Sequence, residues 1–391
     1  VTTQAQSPAS GKPAAAAGME GMIAGNTSLS KVDGLKGRLY YRGIPVEPLA
    51  EQATFEECCY LLWNDELPNE RQLATFCEEL ADLRSLPPQI WEVLAPLAGR
   101  QPLMDLVRTG VSALSAWDTD TKITLSDPEE HSQANLRMSK RMLAGMATLV
   151  AGCFRLSRGK QVVEPHEDNS HAANFLGMVL NKAPGEYEER IFDAALTLHA
   201  DHGFNASTFS GRVTAATEAD IYGAVTSAVG TLAGRLHGGA NTAVMRMLEE
   251  IGDVDHCEAH VDKVLSDPKG RIMGFGHRVY KVEDPRATVL RRMAKELTDR
   301  TGNSRWFEMS RKIEDVVKAK KGLVPNVDFY SASVYGSLGL DPELYTPIFA
   351  VSRVSGWLAH VMEQHADNRL IRPKANYIGQ MDRPFTALNE R

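Results

Sequence analysis

The stretch Glu188-Glu189-Arg190-Ile191-Phe192-Asp193-Ala194-Ala195-Leu196-Thr197-Leu198-His199-Ala200-Asp201-His202 sets the reading of the whole chain. Ile191, Ala194, Ala195 and Leu198 recur at helical spacing and form one apolar stripe, so a helix over 188–198 packs on one face. Where the stripe ends, His199, Asp201 and His202 crowd together, followed by Gly203-Phe204-Asn205-Ala206-Ser207-Thr208-Phe209. Standing three residues apart, the two histidines are expected on one helix face near its C-terminal end. Either fits a packing or C-capping role. A metal site asks for a third ligand and for the i,i+4 spacing of His-Glu-x-x-His, which is absent.

Outward from this stretch the same periodicity returns. Helices are expected over 54–63, 70–83, 138–158, 220–232, 240–251, 286–300, 305–318 and 347–364. Residues 22–44 mix Gly, Thr and Ser with β-formers such as Leu39, Tyr40 and Tyr41, and read as short strands and turns. Pro87-Pro88, Asp127-Pro128 and Pro184-Gly185 punctuate the series. The fold class is mainly α, with neither the strand–helix alternation of a parallel sheet nor an internal repeat.

The chain has 391 residues, 43% hydrophobic and 24% charged, which suits a globular protein of two or three domains at about 150 residues each. A net charge of -7 disfavours nucleic acid and anionic membranes as partners, and leaves room for small anions if positive charge gathers in one pocket. No apolar run approaches the ~20 residues that cross a bilayer. Cys58, Cys59, Cys77, Cys153 and Cys257 form no Cys-x-x-Cys pair and read as reduced thiols of a cytoplasmic protein. Residues 1–18, rich in Ala, Ser, Gln and Thr with one Lys and no Arg, lack the features of a signal or transit peptide and read as a flexible tail.

Three further segments gather polar groups. In Leu236-His237-Gly238-Gly239-Ala240-Asn241, His237 is expected at a helix start, where the dipole disfavours a positive charge and keeps the imidazole neutral. A neutral imidazole can donate a hydrogen bond to a developing enolate; a plain helix-initiating turn is the alternative. In Gly270-Arg271-Ile272-Met273-Gly274-Phe275-Gly276-His277-Arg278-Val279-Tyr280-Lys281, the Gly-Phe-Gly is no dinucleotide fingerprint, because Val279 stands where the third Gly belongs. Arg271, His277, Arg278, Lys281 and Arg286 concentrate positive charge there, as a phosphate- or carboxylate-binding loop or a solvated charged loop would. In Pro325-Asn326-Val327-Asp328-Phe329-Tyr330-Ser331, Asp328 lies among apolar neighbours ahead of a helix, either as an N-cap or as a base strengthened by burial. Arg353 interrupts an apolar helix, where a charge needs a partner, and Arg372-Pro373 follows. Arginine suits bidentate carboxylate binding and structural ion pairs alike.

The four segments, in this order and spacing, resemble the citrate synthase family, including the related 2-methylcitrate synthases, from about Gly21 to Arg372. The motifs are His199-Ala-Asp-His202…Asn205-Ala-Ser-Thr, Leu236-His237-Gly-Gly-Ala-Asn, Gly274-Phe-Gly-His277-Arg-Val-Tyr-Lys…Asp284-Pro-Arg286 and Pro325-Asn-Val-Asp328. The resemblance implies a compact, dimeric, bacterial-type member. It implies a large helical domain over 19–237 and 336–391, a small helical domain over 238–335, and an active-site cleft between them. It implies condensation of acetyl-CoA with oxaloacetate and hydrolysis of citryl-CoA to citrate and CoA, or the propionyl-CoA reaction giving 2-methylcitrate.

By the same resemblance Asp328 removes the acyl proton, His237 hydrogen-bonds the thioester oxygen, and His277 polarises and protonates the oxaloacetate carbonyl. His202, Arg286, Arg353 and Arg372 hold carboxylates. Ile272, Met273, Gly274, Phe275, Gly276 and Lys281 meet CoA, and His199 and Asn205 support the site. No metal or cofactor is implied, and the partner subunit of a homodimer supplies Arg372. Arg235 stands where the family commonly has Pro, and Gln101-Pro102-Leu103-Met104-Asp105 departs from a frequent His-Pro-Met-Asp version. A metal hydrolase built on His199, His202 and His237, or a catalytically silent scaffold, are the competing classes. Retention of Asp328, His237 and His277 together argues against the scaffold.

Overall fold

The computed structural model describes residues 17–19, 21–123, 127–277 and 279–391. The tail expected over 1–18, apart from its last two residues, lies outside them, as does Arg278 of the basic loop. The chain divides into two units: Thr27–Leu370, and the N-terminal residues to Asn26 with Ile371–Arg391. The first carries every strand and α-helix described.

It begins with an antiparallel sheet, β1 (Ser30–Asp33), β2 (Arg38–Tyr41) and β3 (Ile44–Pro45), with Ser30 opposite Tyr41 and Tyr41 opposite Ile44. Sixteen α-helices follow among the described residues. The first group comprises α1 (Val46–Gln52), α2 (Phe55–Asn64), α3 (Glu70–Asp82), α4 (Gln89–Leu94), α5 (Leu103–Leu114), α6 (Pro128–Ser157), α7 (His171–Leu180) and α8 (Glu186–His199). Next come α9 (Ala206–Ala215), α10 (Ile221–Leu232), α11 (Ala240–Ile251) and α12 (Cys257–Ser266). The last four are α13 (Pro285–Thr301), α14 (Arg305–Lys321), α15 (Val327–Ser337) and α16 (Tyr345–Ala366). All nine expected helices form, and α6 starts ten residues earlier than its apolar periodicity suggested because Asp127 caps it and Pro128 opens it.

The helices start where the sequence offers caps. Thr54 and Glu57 form a capping box on α2, and Asn69 and Gln72 form one on α3. The apolar stripe of α8 is fully buried, with Phe192 stacked on Phe175 of α7 at 5.4 Å between ring centroids. Helix α16 packs against α6, α8, α9 and α10, so its Arg353 is only 1% exposed and Trp357 equally so. No described helix is long and apolar enough to cross a membrane.

The second unit carries no helix or strand from 371 to 387, and Arg372 is exposed within that stretch. Tyr377, Ile378, Met381 and Phe385 are exposed as well.

Candidate active site

The small sheet fixes the turn after α8. The Tyr41 hydroxyl donates to the Asp201 carbonyl at 2.9 Å, the Gly203 N–H donates to Ser30 Oγ at 3.0 Å, and the Ser30 hydroxyl also bonds the Asp201 carboxylate. Asp201 is fully buried, and His360 of α16 lies 3.2 Å from it. These bonds end α8 at His199. His202 therefore sits beyond the helix in a turn completed by Gly203 at φ +57°, and the two histidines do not share the helix face expected of them.

That ending also positions an arginine. The carbonyl of His199 lacks an intrahelical partner, and Arg353 Nε donates to it at 2.6 Å. The His199 ring is fully buried, its Nδ1 bonded to the Ala195 carbonyl at 2.7 Å and its Nε2 without a hydrogen-bond partner among the described residues. Burial holds its pKa down near 3. Phe349 lies between the two groups, 5.0 Å from the His199 ring and 4.6 Å from the Arg353 guanidinium. Burial lowers the Arg353 pKa to about 10, so it stays charged at neutral pH. Its two terminal nitrogens have no hydrogen-bond partner among the described residues, the fork that a carboxylate fills.

The second arginine is built differently. Asp284 caps α13, and its carboxylate accepts from Arg286 Nε at 3.0 Å and Nη2 at 2.9 Å. The same carboxylate accepts the Val327 N–H at 3.2 Å and so ties the start of α13 to the start of α15. Burial works against the Arg286 charge, and Asp284 outweighs it, keeping the pKa above the ordinary value. The Nη1 end has no protein partner among the described residues.

Asp328 lies in the first turn of α15, not ahead of it; Asn326 is the cap and accepts the Asp328 N–H at 3.0 Å. No hydrogen bond reaches the Asp328 carboxylate among the described residues. Burial raises its pKa to about 6 against the pull of Arg286 and Arg353, with Asp284 adding to the rise.

Both candidate catalytic imidazoles are neutral, and main-chain donors set their tautomers. His277 Nδ1 accepts the N–H groups of Val279 and Tyr280 at 3.0 and 3.2 Å, so the ring proton is on Nε2. Burial, then Arg286, lowers its pKa to about 4. The Ser207 N–H donates to His237 Nε2 at 3.3 Å, which puts that ring's proton on Nδ1. Its pKa is also about 4, because of burial and Arg353. The expected helix N-terminus is not the cause: His237 is in the turn after α10, two residues before Gly239, which caps α11. His202, whose pKa is pushed well down by burial and by Arg286, lies 5.4 Å from His277 between ring centroids, and its Nε2 is 3.2 Å from the Tyr280 hydroxyl.

The loop 272–276 is strapped to the segment before α15. The Gly276 N–H donates to the Val324 carbonyl at 3.2 Å, the Asn326 N–H donates to the Gly274 carbonyl at 2.9 Å, and Asn326 Nδ2 donates to the Gly276 carbonyl at 2.9 Å. Gly274 has φ +79°, and a methyl there would stand 2.8 Å from Phe329 Cβ. Ile272 is buried, Phe275 half-buried, and Met273 and the Lys281 side chain exposed. The Lys281 N–H donates to the Gly34 carbonyl in the β1–β2 turn at 2.9 Å. Asn205 caps α9 and bonds Thr208 and Ser207. Among the described residues no group of three or more His, Cys, Asp or Glu is placed to hold a metal ion.

The unit thus groups His199, His202, His237, His277, Asp328, Arg286 and Arg353 through shared contacts and charges; Arg372 belongs to the other unit. Sequence reasoning gave no role to Ser207, Tyr280, Asn326 or Asp284. Asp284-Pro285 is a recognisable helix-start signal, whereas Ser207 matters only through a residue thirty positions away.

The sequence model described as "Citrate synthase, C-terminal domain" matches residues 18–374. This chain belongs to the citrate synthase family. It is 48% identical over 376 residues to the citrate synthase of Haloferax volcanii, covering 96% of this chain and 98% of the relative. It is 39% identical over 366 residues to the 2-methylcitrate synthase of Mycobacterium tuberculosis, covering 94% and 91%. The solved citrate synthase of Thermoplasma acidophilum, described as a ternary complex with carboxymethyl coenzyme A and oxaloacetate, superposes with a TM-score of 0.88 at 32% identity, covering 96% and 99%. Citrate synthase family membership makes the chain an acyltransferase, and the mainly α fold agrees with that of the superposed neighbour.

Proposed function

We propose that this chain condenses acetyl-CoA with oxaloacetate and hydrolyses the resulting citryl-CoA, releasing citrate and CoA. The observation that carries the reading is the Asp328 carboxylate, unpartnered and raised to about 6, in one site with two neutral imidazoles that keep opposite ring protons. A thioester α-proton is very weakly acidic, so base and oxygen donor must act together in a water-poor site.

Asp328 takes the methyl proton while the His237 Nδ1–H hydrogen-bonds the thioester oxygen and stabilises the enolate that forms. The enolate carbon attacks the oxaloacetate carbonyl carbon, restoring the thioester C=O, as His277 Nε2–H donates to, then protonates, the oxaloacetate oxygen. The fork of Arg353, the remaining edge of Arg286, and His202 hold carboxylates, and water then cleaves the thioester. Loop 272–276 and Lys281 receive CoA.

We further infer that 238–335 acts as a small domain closing on the rest of the chain around oxaloacetate. Two subunits would pair in the cytoplasm, the partner subunit's Arg372 completing each site. Exposed Tyr377, Ile378, Met381 and Phe385 support a partner for that arm. No cofactor enters this scheme. The propionyl-CoA reaction differs by one methylene, worth only ~1–3 kcal/mol in a pocket, and the higher identity of the citrate synthase relative favours acetyl-CoA.

The test is free-CoA release from acetyl-CoA and from propionyl-CoA, each with and without oxaloacetate. Release that requires oxaloacetate and is faster with acetyl-CoA is expected. Release without oxaloacetate overturns the reading, and faster release with propionyl-CoA transfers it to 2-methylcitrate.

A further inference from the structure

The turn between β1 and β2 lies against the backbone of the loop that carries His277. A methyl on Gly34 would stand 2.2 Å from the Val279 carbonyl oxygen, about 1 Å inside normal packing distance. One on Gly37 would stand 2.7 Å from the Glu283 carbonyl oxygen. The Lys281 N–H donates to the Gly34 carbonyl at 2.9 Å, so the approach is also bonded. Gly34 does not adopt a left-handed φ, so the turn itself accepts other residues there; the space left by the loop does not. The other end of β1 holds the His202 turn, where the Gly203 N–H donates to Ser30. One hairpin therefore brackets both histidines, whose rings lie 5.4 Å apart.

We propose that the β1–β2 turn is a clasp that positions His277, with Gly34 as the residue that admits the loop. The inference rests on the role proposed above for His277 at the oxaloacetate carbonyl. The link is one peptide group. The Val279 carbonyl that faces Gly34 and the Tyr280 N–H that donates to His277 Nδ1 belong to the same rigid plane and point opposite ways across it. The next N–H along the chain, that of Lys281, is the one fixed to the Gly34 carbonyl. The clasp thus sets the peptide plane from its carbonyl side and from the residue beyond it, and the plane aims its N–H at the ring. With Nδ1 held in this way, the protonated Nε2 keeps one direction. Pushing the Val279 carbonyl aside to make room for a methyl tilts the plane, loosens the bond to Nδ1 and lets the ring swing toward water.

The experiment compares Gly34→Ala with Gly43→Ala. Gly43, in the turn between β2 and β3, has φ +83° and no atom within 4 Å of a methyl, so alanine there strains the same sheet without touching the loop. Titration of ¹⁵N-histidine-labelled full-length protein, followed by ¹⁵N–¹H spectra with His277→Ala to assign the signal, gives the His277 pKa in each. Gly34→Ala should raise it from about 4 toward the ordinary ~6.5, because burial and the two N–H donors that favour the neutral ring are both weakened. It should also lower kcat about ten- to a hundredfold, part of what a positioned acid supplies. Gly43→Ala should lower the melting point and leave the His277 pKa and kcat at parent values. An unchanged His277 pKa in Gly34→Ala, or the same pKa and kcat changes in both variants, overturns the inference. If Gly34→Ala does not fold, hydrogen exchange in the parent decides: the Tyr280 and Lys281 amides should exchange at least about tenfold more slowly than in an unfolded chain, and unprotected exchange overturns the clasp. The pKa is read without turnover, so the two readings separate: a raised pKa with kcat unchanged upholds the clasp and removes the role proposed for His277.

Discussion

At Asp328 burial and charge oppose each other. Burial favours the protonated acid and the two guanidiniums favour the carboxylate; burial prevails, leaving a pKa of about 6. A carboxylate in this state is a stronger base than an exposed one and is still mostly ionised at pH 7. Asp328→Asn is isosteric and cannot accept a proton, so kcat should fall at least about 10²–10⁴-fold with oxaloacetate binding retained by calorimetry. Near-normal condensation by that variant would remove Asp328 as the base. The sign for stability is the reverse of that for activity. A folded pKa above the unfolded one means that protonation stabilises the fold, a contribution fully present below about pH 4 and lost as pH rises through 6. The amide variant should therefore melt higher than the parent at pH 8, and a lower melting point there would show that the carboxylate makes a stabilising contact. Activity runs the other way: with the histidines already neutral near pH 5, log kcat/KM should drop with about unit slope as pH falls through 6. A flat profile between pH 5 and 7.5 would contradict Asp328 as the titrating group.

Between elements, the joint that matters is Asp284. One carboxylate caps α13, neutralises Arg286 and receives the first N–H of α15, so it sets the distance between the arginine proposed to bind a carboxylate and the proposed base. Asp284 and Arg286 are 1% and 3% exposed. Removing one member of a buried pair leaves the other charge uncompensated, which costs about 3–5 kcal/mol. Asp284→Ala should lose stability on that scale in urea unfolding and should raise KM for oxaloacetate; a loss under 1 kcal/mol would mean that water or another carboxylate replaces it. The α2–α8 joint follows the same logic at lower stakes, with Asp193 of α8 accepting the Phe55 N–H at 3.0 Å at the start of α2.

For the whole molecule the open question is where Arg372 acts. It lies in a stretch lacking helix and strand and rich in exposed apolar side chains, and the proposal gives it to the opposite subunit. Subunit mixing decides this. His277→Ala and Arg372→Ala, each inactive alone, are unfolded together in equal amounts and refolded. Random pairing makes half the dimers mixed, and each mixed dimer has one site with both residues intact, so activity should return to about a quarter of the parent. Persistent inactivity, with mixed dimers demonstrated, would place Arg372 in the site of its own chain.

The periodicity of Ile191, Ala194, Ala195 and Leu198, and its repeats along the chain, was enough to establish a helical protein, because burial of one face is a local pattern. The spacing of the His199, His237, His277 and Asp328 motifs was enough to indicate the family, because chemistry restricts which residue types stand together. Helices α1, α4, α5, α7, α9 and α12 had no counterpart in the sequence reading; in α9 the small polar residues Ser207 and Thr208 face the interior, and Ser207 finds its partners His237 and Trp357 in distant segments. The tertiary structure alone decided the states of the site groups. His237 is neutral because it is buried beside Arg353, not because a helix begins there, and Arg353 keeps an open fork because the end of α8 takes only its Nε. Protonation and pairing depend on which distant groups exclude water from a side chain, and the order of residues along the chain does not contain that information.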